Sequence, residues 1–404
     1  MAGYDKIPNG ATIQPKPFKV HIEDAKLQQM LDLIKISPIG PATYANTSNN
    51  QPSNGMSPPE RSSGIPRDWL ANAKDQWLNA FDWRKHEDRI NSFPHFTALV
   101  KSDNGYEVTV HFMALFSEKP DAVPIAFYHG WPGSFLEFTK IFQLLKDRYT
   151  PQDLPYHVIA PSLPNYAFSS GPPLDTELET SDAAALLHQL MLGLGFSSGY
   201  LAQGGDVGSA VASSQGANYD ECKSVHLNMC PVPSEIAEKY TERDAVEKKA
   251  EERGQAFRTT GMAYALEHGS RPATIGLVLA TSPLALLAWI GEKFLEWSDE
   301  DPAVEEILES VSLYWLTDTF ARCIYPYRGF FKGREWPKVE KPSGYSFFPK
   351  ELVPTPRSQA AAMMNLVVFR QHTSGGHFAA MEKPKELLEN VEEWVKVVWK
   401  ESKV

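Results

Sequence analysis

Apolar residues in the first hundred positions recur at helical spacing. Leu27, Met30, Leu31 and Ile34 share one face of residues 24–36, and Trp69, Ala73 and Trp77 share one face of residues 67–80. Between them, residues 45–66 are rich in Asn, Ser, Pro and Gly and read as a loop. From about residue 106 the texture changes. EVTVHF alternates like a strand, and PIAFYHG, YHVIAPS, YLAQGGD and SVHLN follow as short apolar runs that each end in a turn. The strand pattern stops near residue 229, and helical segments then run to about residue 325. Within them, ERDAVEKKAEER at 242–253 reads as a charged helix with a solvated face. GYSFF and NLVVF return as buried-type strands, and PKELLENVEEWVKVVWK closes with an amphipathic helix. Short buried strands separated by helix-length segments predict an α/β fold, with a mostly parallel sheet and helices on both faces. The helical interruption predicts an inserted cap over the carboxyl ends of the strands, where such folds place their sites. The expected division is an N-terminal helical extension at 1–105, core at 106–229, cap at 230–340 and core again at 341–404.

Composition narrows the function without changing that outline. The 404 residues are 42% hydrophobic and 22% charged, which fits a chain with a large packed core. A net charge of −11 offers no basic field for phosphates, so nucleic acid is not an expected partner. Cys222, Cys230 and Cys323 form no CxxC or Cys/His ligand spacing, so free thiols in a reducing compartment and no metal site are expected. MAGYDKIPNG has neither a positive segment nor an apolar one, so no secretory signal is read there. Asn46-Thr47-Ser48 is then a glycosylation motif without a route. Pro272 to Gly291 carry no charge, but Pro283 and Thr281-Ser282 interrupt them, favouring buried helix over a membrane span. A cytoplasmic protein is expected.

The most informative segment is Gly204-Gly205-Asp206-Val207-Gly208, between the strand-like YLAQ and the helical SAVASSQGANY. Its small-x-nucleophile-x-small spacing is that of a nucleophile elbow, where glycines permit a sharp strand-to-helix turn that exposes one side chain. Here that side chain is a carboxylate. With an ordinary pKa of about 3.9 it is ionised at neutral pH, so it attacks without a base and suits displacement at saturated carbon. Taken alone the GxDxG spacing is a weak signal, with a helix cap as the lesser reading of Asp206. His129-Gly130-Trp131-Pro132-Gly133 follows an apolar strand at the place of an oxyanion loop, so the N–H groups of Trp131 and Val207 are candidates to hold a developing oxyanion. Gly375-Gly376-His377-Phe378 lies on the loop after NLVVF, where His377 is placed as a general base. Chain order then needs a carboxylate between cap and histidine. Glu351 fits best, ahead of Asp318 and Glu382, which read as helical.

Together HGWPGS, GGDVG and GGHFAA resemble the α/β-hydrolase-fold epoxide hydrolases of the microsomal type, most closely their soluble fungal members. FDWR at 81–84 and NSFPHF at 91–96 resemble the extension that precedes the core in that branch. The resemblance implies a cofactor-independent conversion of epoxides, including xenobiotic ones, to vicinal diols, with an epoxide and water as the only small-molecule partners. Asp206 would open the ring to give a hydroxyalkyl ester, and His377, oriented by Glu351, would activate the water that cleaves it. Tyr264 in GMAYALEHGSRP and Tyr327 in YPYRG match the two cap phenols that protonate the ring oxygen. Tyr325 stands two residues from Tyr327 as the alternative. The resemblance also places Trp131 and Phe378 at the substrate and implies a cis Trp131-Pro132 bond. It includes homodimers, so a dimer is one expectation. A haloalkane-type dehalogenase would share Asp206 and His377 but lacks paired phenols and usually has Asn where Trp131 stands. A silent binding protein on this fold would not be expected to keep Asp206, Glu351 and His377 intact. A serine esterase lacks its nucleophile here.

Overall fold

A computed structural model describes residues 3–47, 63–333 and 336–401. Most of the loop read at 45–66 therefore lies outside the described residues. Among those described, nine strands form one sheet: β1 (Lys16–Phe18), β2 (His95–Lys101), β3 (Glu107–Leu115), β4 (Val123–Tyr128), β5 (Tyr156–Pro161), β6 (Tyr200–Gly204), β7 (Cys222–Leu227), β8 (Val339–Phe347) and β9 (Met364–Gln371). Their order is β1-β2-β3-β5-β4-β6-β7-β8-β9. The ladders from β1 to β5 through β2 and β3 are antiparallel, and those from β5 through β4 to β9 are parallel. Every residue of β4, β5 and β6 is buried, as expected where helices cover both faces of parallel strands.

The strands legible in the sequence all form, and the helices α1 (Asp24–Ile36) and α2 (Arg67–Asn79) bury Met30, Ile34, Ala73 and Trp77 as their spacing requires. Two strands were not anticipated. Both β1 and β2 lie within the N-terminal extension yet pair with the core sheet, and β2 buries Phe96, Ala98 and Val100 on alternate positions. The extension also includes α3 (Trp83–Ile90). On the core, α4 (Thr139–Arg148), α5 (Thr180–Gly193) and α6 (Asp206–Asn218) link successive strands.

Between β7 and β8 lie the cap helices α7 (Ser234–Lys239), α8 (Ala245–Ala256), α9 (Ala263–Ser270), α10 (Pro272–Leu279), α11 (Pro283–Trp297), α12 (Val304–Leu316) and α13 (Phe320–Cys323). The uncharged run from Pro272 splits into α10 and α11, which meet at 118°. Among the described residues no single helix is long and apolar enough to cross a membrane. The charged run begins its helix three residues later than the composition suggested. Asp244 accepts from the N–H groups of Val246 and Glu247, while the Glu247 side chain returns to the Asp244 N–H, a capping box that fixes the start. Nor is that helix solvated throughout, because Glu247 is buried and accepts from the Arg357 N–H at 2.7 Å.

The extension fastens the cap. Trp77 Nε1 donates to Ser312 Oγ at 3.0 Å, and the His86 ring lies 3.0 Å from Glu309. Glu309 and Ser312 are both on α12. After β8 the chain returns through α14 (Arg357–Met363), α15 (Ala379–Glu382) and α16 (Pro384–Glu401). On α16, Leu387, Leu388, Val391, Trp394, Val395 and Val398 form the buried stripe, and Trp394 Nε1 donates to Ser224 Oγ at 2.8 Å. Cys222, Cys230 and Cys323 are free and buried.

Candidate active site

The loops after β4, β6, β8 and β9 converge at the carboxyl ends of the parallel strands, and each carries one of the expected groups. After β6 the chain turns directly into α6, and Asp206 sits at the junction with φ +48°, in the left-handed region that non-glycine residues seldom occupy. The turn is feasible because of its glycines. A Cβ at Gly208 would lie 2.0 Å from the Tyr128 carbonyl oxygen, so α6 could not start this close to β4 with a larger residue. Asp206 Oδ1 accepts from the Trp131 N–H at 2.7 Å, and the Val207 N–H also bonds to the carboxylate. Trp131 and Pro132 are joined by a cis bond.

His377 faces the other carboxylate oxygen, with Nε2 3.6 Å from Asp206 Oδ2. Its Nδ1 lies 2.8 Å from Glu351 Oε1, which also accepts from the Leu352 N–H at 2.6 Å. Burial alone would depress the imidazole, but the charge of Glu351, its hydrogen bond and the charge of Asp206 outweigh it and lift the pKa to about 9. Burial raises the Asp206 carboxyl, opposed by His377 and by the Trp131 and Val207 N–H groups.

The histidine loop is pinned amide by amide. Gly375 N–H donates to Asp299 Oδ2 at 2.8 Å, Gly376 N–H to Glu382 Oε2 at 3.1 Å, His377 N–H to the Trp297 carbonyl at 3.0 Å and Phe378 N–H to Glu382 Oε1 at 3.0 Å. Glu382 Oε2 also accepts from the Asp299 N–H at 2.7 Å. Asp299 and Trp297 belong to the cap side, so Glu382 ties cap and histidine loop together. Glu382 is thus not the partner of the imidazole, and Asp318 pairs instead with Lys26 at 2.6 Å. Asp318 lies in the turn between α12 and α13, not within a helix.

From the cap, Tyr264 on α9 stacks on Trp131, with ring centroids 5.2 Å apart and planes 15° from parallel. Tyr327, in the turn Tyr325–Phe331, meets Trp131 edge-on at 5.8 Å and is hydrogen-bonded to Tyr264. Burial, then the Asp206 charge, raises the Tyr264 phenol above its ordinary range. Tyr327 is raised as well, by burial first and then by Tyr264. Tyr325 lines a separate groove with Glu177, Glu179 and Lys332. Phe378 is buried and stacks on Phe294 at 4.5 Å.

Sequence reasoning missed several neighbours. His268 meets Trp131 edge-on at 4.6 Å and accepts from Trp289 Nε1 at 3.0 Å. Lys293 Nζ lies 4.9 Å from the centre of the Tyr264 ring. Glu137 shares a small cavity with Asp206 and His377. His268 stands in the quoted segment GMAYALEHGSRP, whereas Glu137 and Lys293 lie outside every quoted motif. The one available signal was spacing, since His268 falls one helical turn after Tyr264.

Residues 15–138 match the family described as epoxide hydrolase N terminus, and residues 123–260 match the alpha/beta hydrolase fold. A protein of Dothistroma septosporum, provisionally named an epoxide hydrolase, is 52% identical over 99% of this chain and 94% of its own length. The Aspergillus niger epoxide hydrolase structure superposes with a TM-score of 0.89 at 47% identity, covering 98% of this chain and all of the other. The silkworm juvenile hormone epoxide hydrolase shares the fold, with a TM-score of 0.81 at 22% identity over 96% of each chain. The geometry at the strand ends and these whole-length similarities lead to one conclusion: the chain belongs to the epoxide hydrolases of the α/β-hydrolase fold.

Proposed function

We propose that this epoxide hydrolase works through a covalent ester on Asp206. The carboxylate attacks one ring carbon of the epoxide from behind. The carbon–oxygen bond breaks, its electron pair goes to oxygen, and that oxygen takes a proton from Tyr264 or Tyr327. Because Tyr327 and Tyr264 are hydrogen-bonded, negative charge left on one phenol is met by the O–H of the other. General acid help of this kind is worth roughly 100- to 10,000-fold, about 3–5 kcal/mol of barrier.

Ester formation removes the Asp206 charge, one of the terms that holds the His377 proton. The imidazole therefore gives up its proton, which restores the phenol, and becomes the base the second step needs. Water then adds to the ester carbonyl while His377 takes its proton, and the Trp131 and Val207 N–H groups hold the oxyanion. Collapse expels the diol oxygen, which is protonated from His377. The proton left on the Asp206 carboxyl returns to the imidazole and restores the starting ion pair.

The observation that carries this reading is the double use of Trp131, whose N–H holds Asp206 while its ring supports both phenols. The role of Glu351 rests on its 2.8 Å contact with His377 Nδ1. Trp131 and Phe378 are read as substrate contacts. The division into extension, core and cap follows the sequence texture together with the family resemblance, a homodimer follows the resemblance, and a cytoplasmic location follows the free thiols and the N-terminal composition. The test is a single turnover with enzyme in excess over styrene oxide in ¹⁸O water. Unlabelled diol with heavy oxygen retained in the Asp206 peptide is expected. Labelled diol with an unlabelled peptide would mean direct attack by water and would overturn the covalent reading.

A further inference from the structure

The turn that carries Trp131 cradles two carboxyl groups. A Cβ at Gly130 would lie 2.1 Å from Asp206 Oδ1, and one at Gly133 would lie 1.6 Å from Glu137 Oε1. Each glycine thus marks where a carboxyl group comes down on the loop backbone. Glu137 lies in the short turn Phe135–Phe138, and its side chain folds back to form backbone hydrogen bonds at Gly130 and Ser134. Burial pushes this acid up to about 8. The His377 charge opposes the rise, and the Asp206 charge adds to it. Burial therefore favours the uncharged acid, which retains a carbonyl oxygen that accepts hydrogen bonds.

Glu137, Asp206, His377, Gly130, Gly133 and Phe378 help to wall a cavity of about 20 Å³. That is room for about one water, which needs at least about 10–15 Å³ and two or more polar partners. Neither Tyr264 nor Tyr327 contributes to its wall, so the cavity is distinct from the place where the phenols act.

We infer that this cavity seats the hydrolytic water and that Glu137 is a catalytic residue of the second step, orienting that water together with His377. The inference rests on the covalent-ester reading above. One water hydrogen points to His377 Nε2, and the other points to the Glu137 carbonyl oxygen. An oxygen lone pair is then left facing the Asp206 carboxyl carbon. On attack, the first proton passes to His377 and later to the departing diol oxygen. The second stays on the attacking oxygen, which becomes part of the Asp206 carboxyl group. Glu137 gains and loses no proton in this scheme, because its work is alignment.

Quenched-flow mass spectrometry of the Asp206 peptide, with enzyme in excess over styrene oxide, separates ester formation from ester decay. In Glu137→Leu the ester is expected to form within about twofold of the wild-type rate and to decay about 100-fold more slowly. Glu137→Gln keeps a carbonyl acceptor and should stay within about tenfold of wild type. Wild-type decay in Glu137→Leu would overturn the inference, as would equal slowing of both steps, which would mark Glu137 as mere loop support. If circular dichroism shows Glu137→Leu unfolded, Glu137→Ala replaces it, with decay slowed at least about tenfold expected and wild-type decay overturning the assignment. His377→Gln is the control for the underlying chemistry. Diol formation there without any ester on Asp206 would instead sink the covalent reading.

Discussion

On the core side of the site, position is set by hydrogen bonds to the main chain. Asp206 is held by the Trp131 N–H, and four consecutive amides of the histidine loop each have a fixed acceptor. On the cap side, position is set by packing. Tyr264 lies flat on Trp131, Tyr327 and His268 meet the same indole edge-on, and Lys293 sits against the Tyr264 ring. Directional bonds fix atoms to tenths of an ångström, whereas stacked rings slide with small energetic change. The proposed mechanism would account for this division of labour. In-line attack and water activation demand exact distances, while proton donation to an oxygen tolerates variation, the more so with two phenols in contact.

The strongest way to test this contrast is to remove one group from each side. Asp206→Ala should lose steady-state diol formation by at least about 10,000-fold, with no adduct on its peptide. Residual wild-type turnover would remove Asp206 from the mechanism altogether. Two histidines of the site, His268 and His377, offer the next test, because their environments drive them apart. Burial, then the Lys293 charge, lowers His268 to about 3, whereas His377 is raised to about 9. A lowered histidine stabilises the fold above its unfolded pKa of about 6.5, and that contribution is lost as pH falls from 6.5 towards 3. A raised one stabilises below 6.5, and its contribution is lost as pH climbs through 9. Urea titrations should therefore show His268→Gln flattening the acid side of the stability curve and His377→Gln flattening the alkaline side. The effect should be about 5 kcal/mol for His268→Gln and about 3 kcal/mol for His377→Gln.

Smaller effects should separate packing from bonding. Tyr264→Phe or Tyr327→Phe is expected to slow ester formation by about 10- to 100-fold and to leave ester decay unchanged, as read by quenched flow. Slower decay in either would place the phenols in the second step too. Glu382→Gln keeps the size of the side chain but turns one acceptor into a donor facing an amide. A loss of about 1–3 kcal/mol in unfolding free energy and about tenfold slower ester decay are expected. Unchanged decay would mean that the loop holds His377 without this clamp.

How much of this was legible in the sequence follows the same line. Asp206, Trp131 and His377 stand next to strands, and a strand end preceded by an apolar run is a local signal. Glu351 could be narrowed by chain order and by GYSFFPK. Tyr264 and Tyr327 carry no local signal, because one aromatic among many helical residues looks like core; only resemblance singled them out. Strands β1 and β2 were missed for a related reason. β1 spans three residues at a sheet edge, and β2 lies in a segment dominated by helices, so neither shows a long alternating run. The clamp role of Glu382, weighed only as a lesser relay carboxylate, and the place of Glu137 were hidden because their partners are backbone amides, which no side-chain pattern encodes.

Trp131 contributes its amide to one half of the site and its indole to the other, and only the indole is genetically variable. Every substitution at this position except proline keeps an N–H at the same point of the chain. Variation here reaches Tyr264 and Tyr327, which rest on the ring, without erasing the N–H that bonds to Asp206. Heritable change at position 131 therefore falls on the cap side of the site, where the aromatic rings pack, and leaves the main-chain donor to Asp206 in place.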